Sequence, residues 1–207
     1  ERLVETARKL PSPKGLRGPT YATLFGLMAV TGIRISEAVS LDRQDVDLEE
    51  CILSICKSKF GKSRLVPLHV TTRDALLNYA KIRDRILSRL QSDAFFVSDR
   101  GTRVKHWTAR DNFAVVSRQI GIRKEIKGKR VGCGPRLHDM RHRFAARTLV
   151  DWYRAGINVE HEIHKLSTYL GHAHVNDTYW YLEAVPELLE LATQRLMQER
   201  KGGGDDD

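Results

Sequence analysis

One short pair of apolar segments, set in a chain otherwise patterned for helices, most narrows what this sequence can fold into. Cys51 to Ile55 and Arg64 to Leu68 alternate or run apolar over short lengths. The polar stretch Lys57-Ser58-Lys59-Phe60-Gly61-Lys62-Ser63 between them contains a glycine, so the pair reads as a β-hairpin. Asp45 to Leu48 can supply a third strand. Elsewhere the apolar residues recur at helical spacing. A helix is expected from about Thr20 to Val30, with Tyr21, Leu24, Phe25 and Met28 on one face. Thr31-Gly32 interrupts it, and Ile33 to Leu41 reads as the next. Further helices are expected over Thr71 to Leu90, Thr108 to Gln119, His138 to Val150, Ile157 to Leu170 and Pro186 to Glu199. The class that follows is α+β, mainly α-helical, with a small antiparallel sheet packed against helices.

Leu10 to Pro19 holds three prolines and two glycines and reads as a loop. Residues 1–19 are therefore expected to form a linker or N-terminal extension, 20–199 the main domain, and 200–207 a disordered tail. Residues 121–136 carry Arg123, Lys124, Lys127, Lys129, Arg130 and Arg136 among four glycines, a basic loop.

Charge narrows the partner. The 35 Lys and Arg exceed the 26 Asp and Glu, giving a net charge of +9. Such a surface favours a polyanion, and nucleic acid is the commonest one. No stretch approaches the roughly 20 apolar residues needed to cross a bilayer, and the first residues lack the apolar segment of a signal peptide. Cys51, Cys56 and Cys133 make an odd number without a CxxC pair, which fits a reducing cytoplasm better than a disulfide framework.

Several runs carry chemistry. Gly61-Lys62-Ser63 ends like a phosphate-binding P-loop, but Cys56 stands where that motif needs its first glycine. His161-Glu-Ile-His164 is one residue short of the HExxH zinc helix, and no cysteine pair is near, so no metal and no cofactor are expected. In Leu137-His138-Asp139-Met140-Arg141-His142, a helix would project His138 and Arg141 from one face. Arg34 follows the glycine break at a helix start, where the macrodipole disfavours a cation. Glu37, three residues on, can offset that charge and orient the guanidinium. Leu170-Gly171-His172 is followed by an aromatic run, Tyr179-Trp180-Tyr181, which by itself reads equally well as packing.

Taken in order, these pieces resemble the tyrosine recombinase (phage integrase-type) family from Thr20 to Glu199. The match consists of an Arg after a Thr-Gly turn, a hairpin Lys before Arg-Leu-Val-Pro-Leu, a His-x-x-Arg, a Leu-Gly-His, and a Tyr nine residues later. The resemblance implies the catalytic-domain fold of that family, and DNA recombination through a covalent phosphotyrosine on Tyr181 without metal or ATP. It implies that Arg34 and Arg141 clamp the scissile phosphate, that His138 and His172 complete the pocket, and that Glu37 supports Arg34. Lys59 would be the hairpin lysine, though Lys57 and Lys62 flank it. Tyr169 and Tyr179 lie near Tyr181, and the spacing from His172 favours Tyr181. Lys57, Lys62, Arg64 and Arg136 are expected to touch DNA.

The chemistry asks for these residue types. Two guanidiniums match the charge that builds on phosphate oxygens, and nearby cations favour the phenoxide of a tyrosine. His138 can take the proton, and a lysine can protonate the leaving oxygen. The expected partners are a double-stranded DNA recombination site and further copies of the chain, forming a tetramer at synapsis, with no membrane. The family's separate DNA-clasping domain is expected upstream of Glu1. A type IB topoisomerase shares the chemistry, and an inactive DNA-binding regulator could share the fold. The apolar face of the last helix could dock in cis or on a neighbouring protomer.

Overall fold

The computed structural model describes residues 1–56, 63–87, 92–124 and 134–184, together with 188 and 190. Its contacts divide the chain into two units, Glu1–Arg141 and His142–Asp207.

The first unit opens with α1 (Arg2–Arg8) and α2 (Arg17–Thr31). Helix α1 lies in the stretch expected to be a linker or extension. It buries Ala7 and packs against α2. Gly18 permits that contact, because a Cβ there would lie 2.2 Å from the carbonyl oxygen of Arg8. Helix α2 also starts earlier than the expected Thr20. Pro19 sits in its first turn, where a missing N–H costs no helical hydrogen bond. Its buried face includes Tyr21, Leu24, Phe25 and Met28, the four residues expected there. Phe25 meets Phe113 of α5 (His106–Gln119) edge-on, with centroids 5.5 Å apart.

Gly32 caps α2 in the left-handed region, at φ +63°. The chain then turns into α3 (Ile35–Ser40), a single 3-10 turn at Arg43–Asp45, and the three strands β1 (Val46–Asp47), β2 (Ile52–Ile55) and β3 (Arg64–Pro67). The sheet is antiparallel in the order β1-β2-β3, so the expected hairpin and third strand are both present. The register pairs Leu53 with Val66, both fully buried, and Ile55 with Arg64. Helix α4 (Val70–Ile86) follows and contacts α2. Its Tyr79 ring stacks on Phe96 at 5.3 Å, and its Tyr79 hydroxyl accepts the backbone N–H of Val97.

Helix α6 (Leu137–Arg154) begins in the first unit and, from His142 on, belongs to the second. The second unit also holds α7 (Val159–Leu170) and α8 (Asn176–Ala184). Its core gathers Ala145, Leu149, Val150, Val159, Leu166, Leu170, Tyr181 and Leu188. Phe144 and Tyr169 stack against this cluster with centroids 5.6 Å apart. Gly171 ends α7 in the left-handed conformation at φ +67°. Helix α8 was not foreseen, since its aromatic density reads as packing without revealing a period. Of the expected helix from Pro186 to Glu199, the described residues include Leu188, which is buried, and Glu190; both are helical. The rest of that segment, and the expected tail, lie outside the described residues.

Candidate active site

In the first unit the site is built around one carboxylate. Arg34 lies just before α3 in extended backbone, and its own N–H donates to Glu37 Oε2 at 2.9 Å. Its guanidinium donates to Oε1 at 2.9 Å. This is the reach-back of a glutamate at the third helical position, with a salt bridge added. Arg64, the first residue of β3, donates from Nη1 to Oε1 and from Nη2 to Oε2, both at 2.9 Å. Glu37 thus carries a bidentate arginine from the sheet and a second arginine from its own helix start.

The Glu37 side chain is only 3% exposed. Burial pushes its carboxyl upward, but the hydrogen bonds from Arg64 and Arg34 outweigh that, and its pKa lies below the ordinary carboxylate value. The two arginines differ in access. The Arg34 side chain is 21% exposed and that of Arg64 11%. Arg64, expected to touch DNA, is held on Glu37 by both terminal nitrogens of its guanidinium.

Arg141 reaches the same corner from α6. Its Nη1 donates to the carbonyl oxygen of Gly32 at 2.9 Å, two residues before Arg34. Arg141 is almost wholly buried. The left-handed turn at Gly32 therefore does two jobs: it ends α2 and presents the carbonyl on which Arg141 rests. His138 is exposed in the first turn of α6. Arg136 is exposed just before that helix, and its backbone N–H donates to Asp139 Oδ2 at 2.8 Å, which fixes the helix start. Lys57, Lys59 and Lys62 lie outside the described residues.

In the second unit the site is built around Tyr181, which is 3% exposed in the core of that unit. Its hydroxyl lies 3.2 Å from Nδ1 of His142. On another side, the His172 ring stacks on the Tyr181 ring with centroids 6.2 Å apart and planes 18° from parallel. The left-handed Gly171 delivers His172 to this position. His172 Nδ1 lies 2.7 Å from the hydroxyl of the fully buried Thr178. A hydrogen-bond partner on one ring nitrogen fixes how the ring points.

The neighbouring tyrosines are placed differently. Tyr179 is exposed and Tyr169 packs on Phe144. Two residues that sequence reasoning gave no role, His142 and Thr178, touch the candidate residues here. His142 adjoins the His-x-x-Arg run and stands four residues after His138, a helical neighbour. That spacing was available in the sequence; nothing comparable marks Thr178. Among the described residues, no group of three or more His, Cys, Asp or Glu could hold a metal ion.

The fold is that of the tyrosine recombinase catalytic domains. The crystal structure of XerA recombinase superposes with a TM-score of 0.68 at 28% identity, over 94% of this chain and 62% of that one. The XerH site-specific recombinase, in a post-cleavage complex with palindromic difH substrate, gives a TM-score of 0.67 at 24% identity, over 93% of this chain and 50% of that one, a likeness of fold. The profile of the phage integrase family matches residues 1–187, and the chain belongs to that family. A Sinorhizobium fredii protein named as an integrase/recombinase (y4rB) is 44% identical over 95% of this chain and 62% of its own length. Tyrosine recombinase XerC of Thermodesulfovibrio yellowstonii is 32% identical over 76% of this chain and 48% of its own. The chain therefore spans about half to three fifths of the length of these relatives.

Proposed function

We propose that this chain performs site-specific DNA recombination, cutting and rejoining strands through a covalent phosphotyrosine on Tyr181. The observation that carries this reading is the corner where Arg141 rests on Gly32 while Glu37 holds Arg34. It gathers two guanidiniums, which keep their charge at any working pH and match a phosphate's oxygens with forked donors. Family membership supplies the reaction that such a clamp serves.

In this mechanism Arg34 and Arg141 bind the non-bridging oxygens of the scissile phosphate and stabilise the charge that grows there during attack. The Tyr181 oxygen attacks phosphorus while the bond to the 5′ oxygen breaks. Lys59 delivers a proton to that leaving oxygen, and His138 and His172 complete the pocket. The phosphodiester energy is retained in the phosphotyrosine bond, so the 5′ hydroxyl of a second strand can reverse the step without ATP. The partner is a double-stranded recombination site, with Lys57, Lys62, Arg64 and Arg136 adding DNA contacts and four copies of the chain at synapsis. The working compartment is the cytoplasm. Among the described residues, no helix is long and apolar enough to cross a membrane.

The test is a nicked suicide substrate carrying the cognate site, resolved on a denaturing gel. A covalent protein–DNA adduct is expected from the chain in its active full-length protein and from Tyr179→Phe, and none from Tyr181→Phe. Absence of an adduct from the active protein overturns the proposal.

A further inference from the structure

The geometry of the second unit points to a residue beyond those discussed for the reaction. Resting on the phosphotyrosine reading above, we infer that His142 is a catalytic residue: it takes the Tyr181 proton as the hydroxyl attacks, and returns it when the strand is rejoined.

Two imidazoles flank the Tyr181 ring, and they are placed for different tasks. His172 lies roughly parallel to the phenol, and its Nδ1 is 2.7 Å from Thr178 Oγ1, so that nitrogen is committed away from the hydroxyl. His142 is tilted by 59° to the phenol with centroids 5.5 Å apart, and its Nδ1 lies 3.2 Å from the Tyr181 oxygen itself. That is within reach for direct proton transfer, the first requirement of a general base.

The surroundings favour the exchange. Tyr181 is nearly excluded from solvent, so bulk water is a poor competitor for its proton. The Trp180 ring lies 5.3 Å from the His142 ring and holds it from the neighbouring helix position. An imidazole titrates near neutrality, whereas a phenol has a pKa of about 10. A base of that strength is suited to accept a proton from a phenol whose oxygen is becoming an ester.

The step balances. The Tyr181 O–H bond breaks and its proton passes to Nδ1 of a His142 that carries its other proton on Nε2. The Tyr181 O–P bond forms and the P–O5′ bond breaks, with the 5′ oxygen taking a proton from the hairpin lysine. In rejoining, a 5′ hydroxyl attacks phosphorus and gives its proton back to the lysine, the phenolic oxygen leaves, and His142 returns the proton to it.

The test measures single-turnover adduct formation on the nicked suicide substrate, with Tyr181 as the natural residue and as 3-fluorotyrosine, whose hydroxyl is more acidic. His142→Ala should slow adduct formation by about 10²-fold, the lower range for loss of a positioned base. Its affinity for the same DNA should stay within about twofold. His142→Gln, which keeps a hydrogen-bonding side chain at that position, should fold and bind like the parent yet be similarly slow. Fluorotyrosine should restore at least about tenfold of the rate in either variant and change the parent little, because an acidic phenol depends less on a base. A purely structural role for His142 would give no such selective rescue. Parent-like rates in His142→Gln, or equal fluorotyrosine effects in all backgrounds, overturn the inference while leaving Tyr181 as nucleophile. An adduct from Tyr181→Phe overturns the phosphotyrosine reading and this inference with it.

Discussion

Arg141 and Gly32, 109 residues apart in sequence, are joined by a 2.9 Å hydrogen bond from a guanidinium to a backbone carbonyl. The accepting residue sits in the left-handed region where α2 ends. Arg34 stands two residues beyond, so the same turn sets both arginines.

Gly32→Ala should separate stability from chemistry. A Cβ in the left-handed region costs about 1–2 kcal/mol, which urea denaturation should register. Adduct formation should fall by more than that loss of folded protein accounts for, because the turn that places both arginines relaxes. Equal losses in the two measurements would show that the turn serves stability alone.

Arg64→Ala removes the bidentate partner of Glu37 and leaves a buried carboxylate on Arg34 alone. The expected destabilisation is about 3 kcal/mol, as for breaking a buried ion pair on one side. Arg64→Lys should recover only part of it, because an ammonium cannot span both oxygens. Denaturant midpoints of the three proteins check the order.

The same carboxylate gives a pH dependence. The pKa of Glu37 lies below its ordinary value in the fold, so the unfolded chain binds its proton first as pH falls. Its contribution is complete above the unfolded value of about 4.3 and is lost as pH drops through the folded one. In Arg64→Ala the folded value moves back toward the unfolded one, so the loss should begin at the same pH as in the parent, be smaller, and end at a higher pH. Urea midpoints taken between pH 7 and pH 3 provide the comparison.

Thr178→Val removes the hydroxyl beside His172 Nδ1 and keeps the volume of a fully buried site. The imidazole then loses the hydrogen-bond partner that orients its ring. Adduct formation should slow about tenfold with DNA affinity unchanged. A variant as fast as the parent would remove Thr178 from the machinery.

Gly18→Ala forces a Cβ to within 2.2 Å of the Arg8 carbonyl oxygen. Overpacking of this kind costs about 1–3 kcal/mol. The strain should be relieved by release of α1, seen as faster amide exchange across Arg2–Arg8 than in the parent.

Much of this architecture was legible in residue patterns. The hairpin register follows from alternation, which buries Leu53 and Val66 and leaves Leu65 exposed. The α2 face follows from helical spacing of its aromatic and aliphatic residues. What could not be read was set by contacts distant in sequence. Arg64 looks like any basic strand residue until Glu37 is brought against it across 27 positions. The Thr178 hydroxyl acquires meaning only once Gly171 turns His172 back toward α8. Helix α1 is short and charged, and it is held by a close approach to Gly18 that no local pattern signals.

The anchoring of Arg64 also sets a radius of action. Lys59 is five residues before Arg64, and a fully extended chain advances at most about 3.5 Å per residue. The covalent path from Lys59 to Arg64 is thus at most about 17 Å, and the Arg64 side chain is tied to Glu37, the carboxylate that also holds Arg34. The proton donor and phosphate clamp proposed above are thus joined by a tether of fixed covalent length, so insertions between Lys59 and Arg64 should weaken adduct formation before they disturb the sheet.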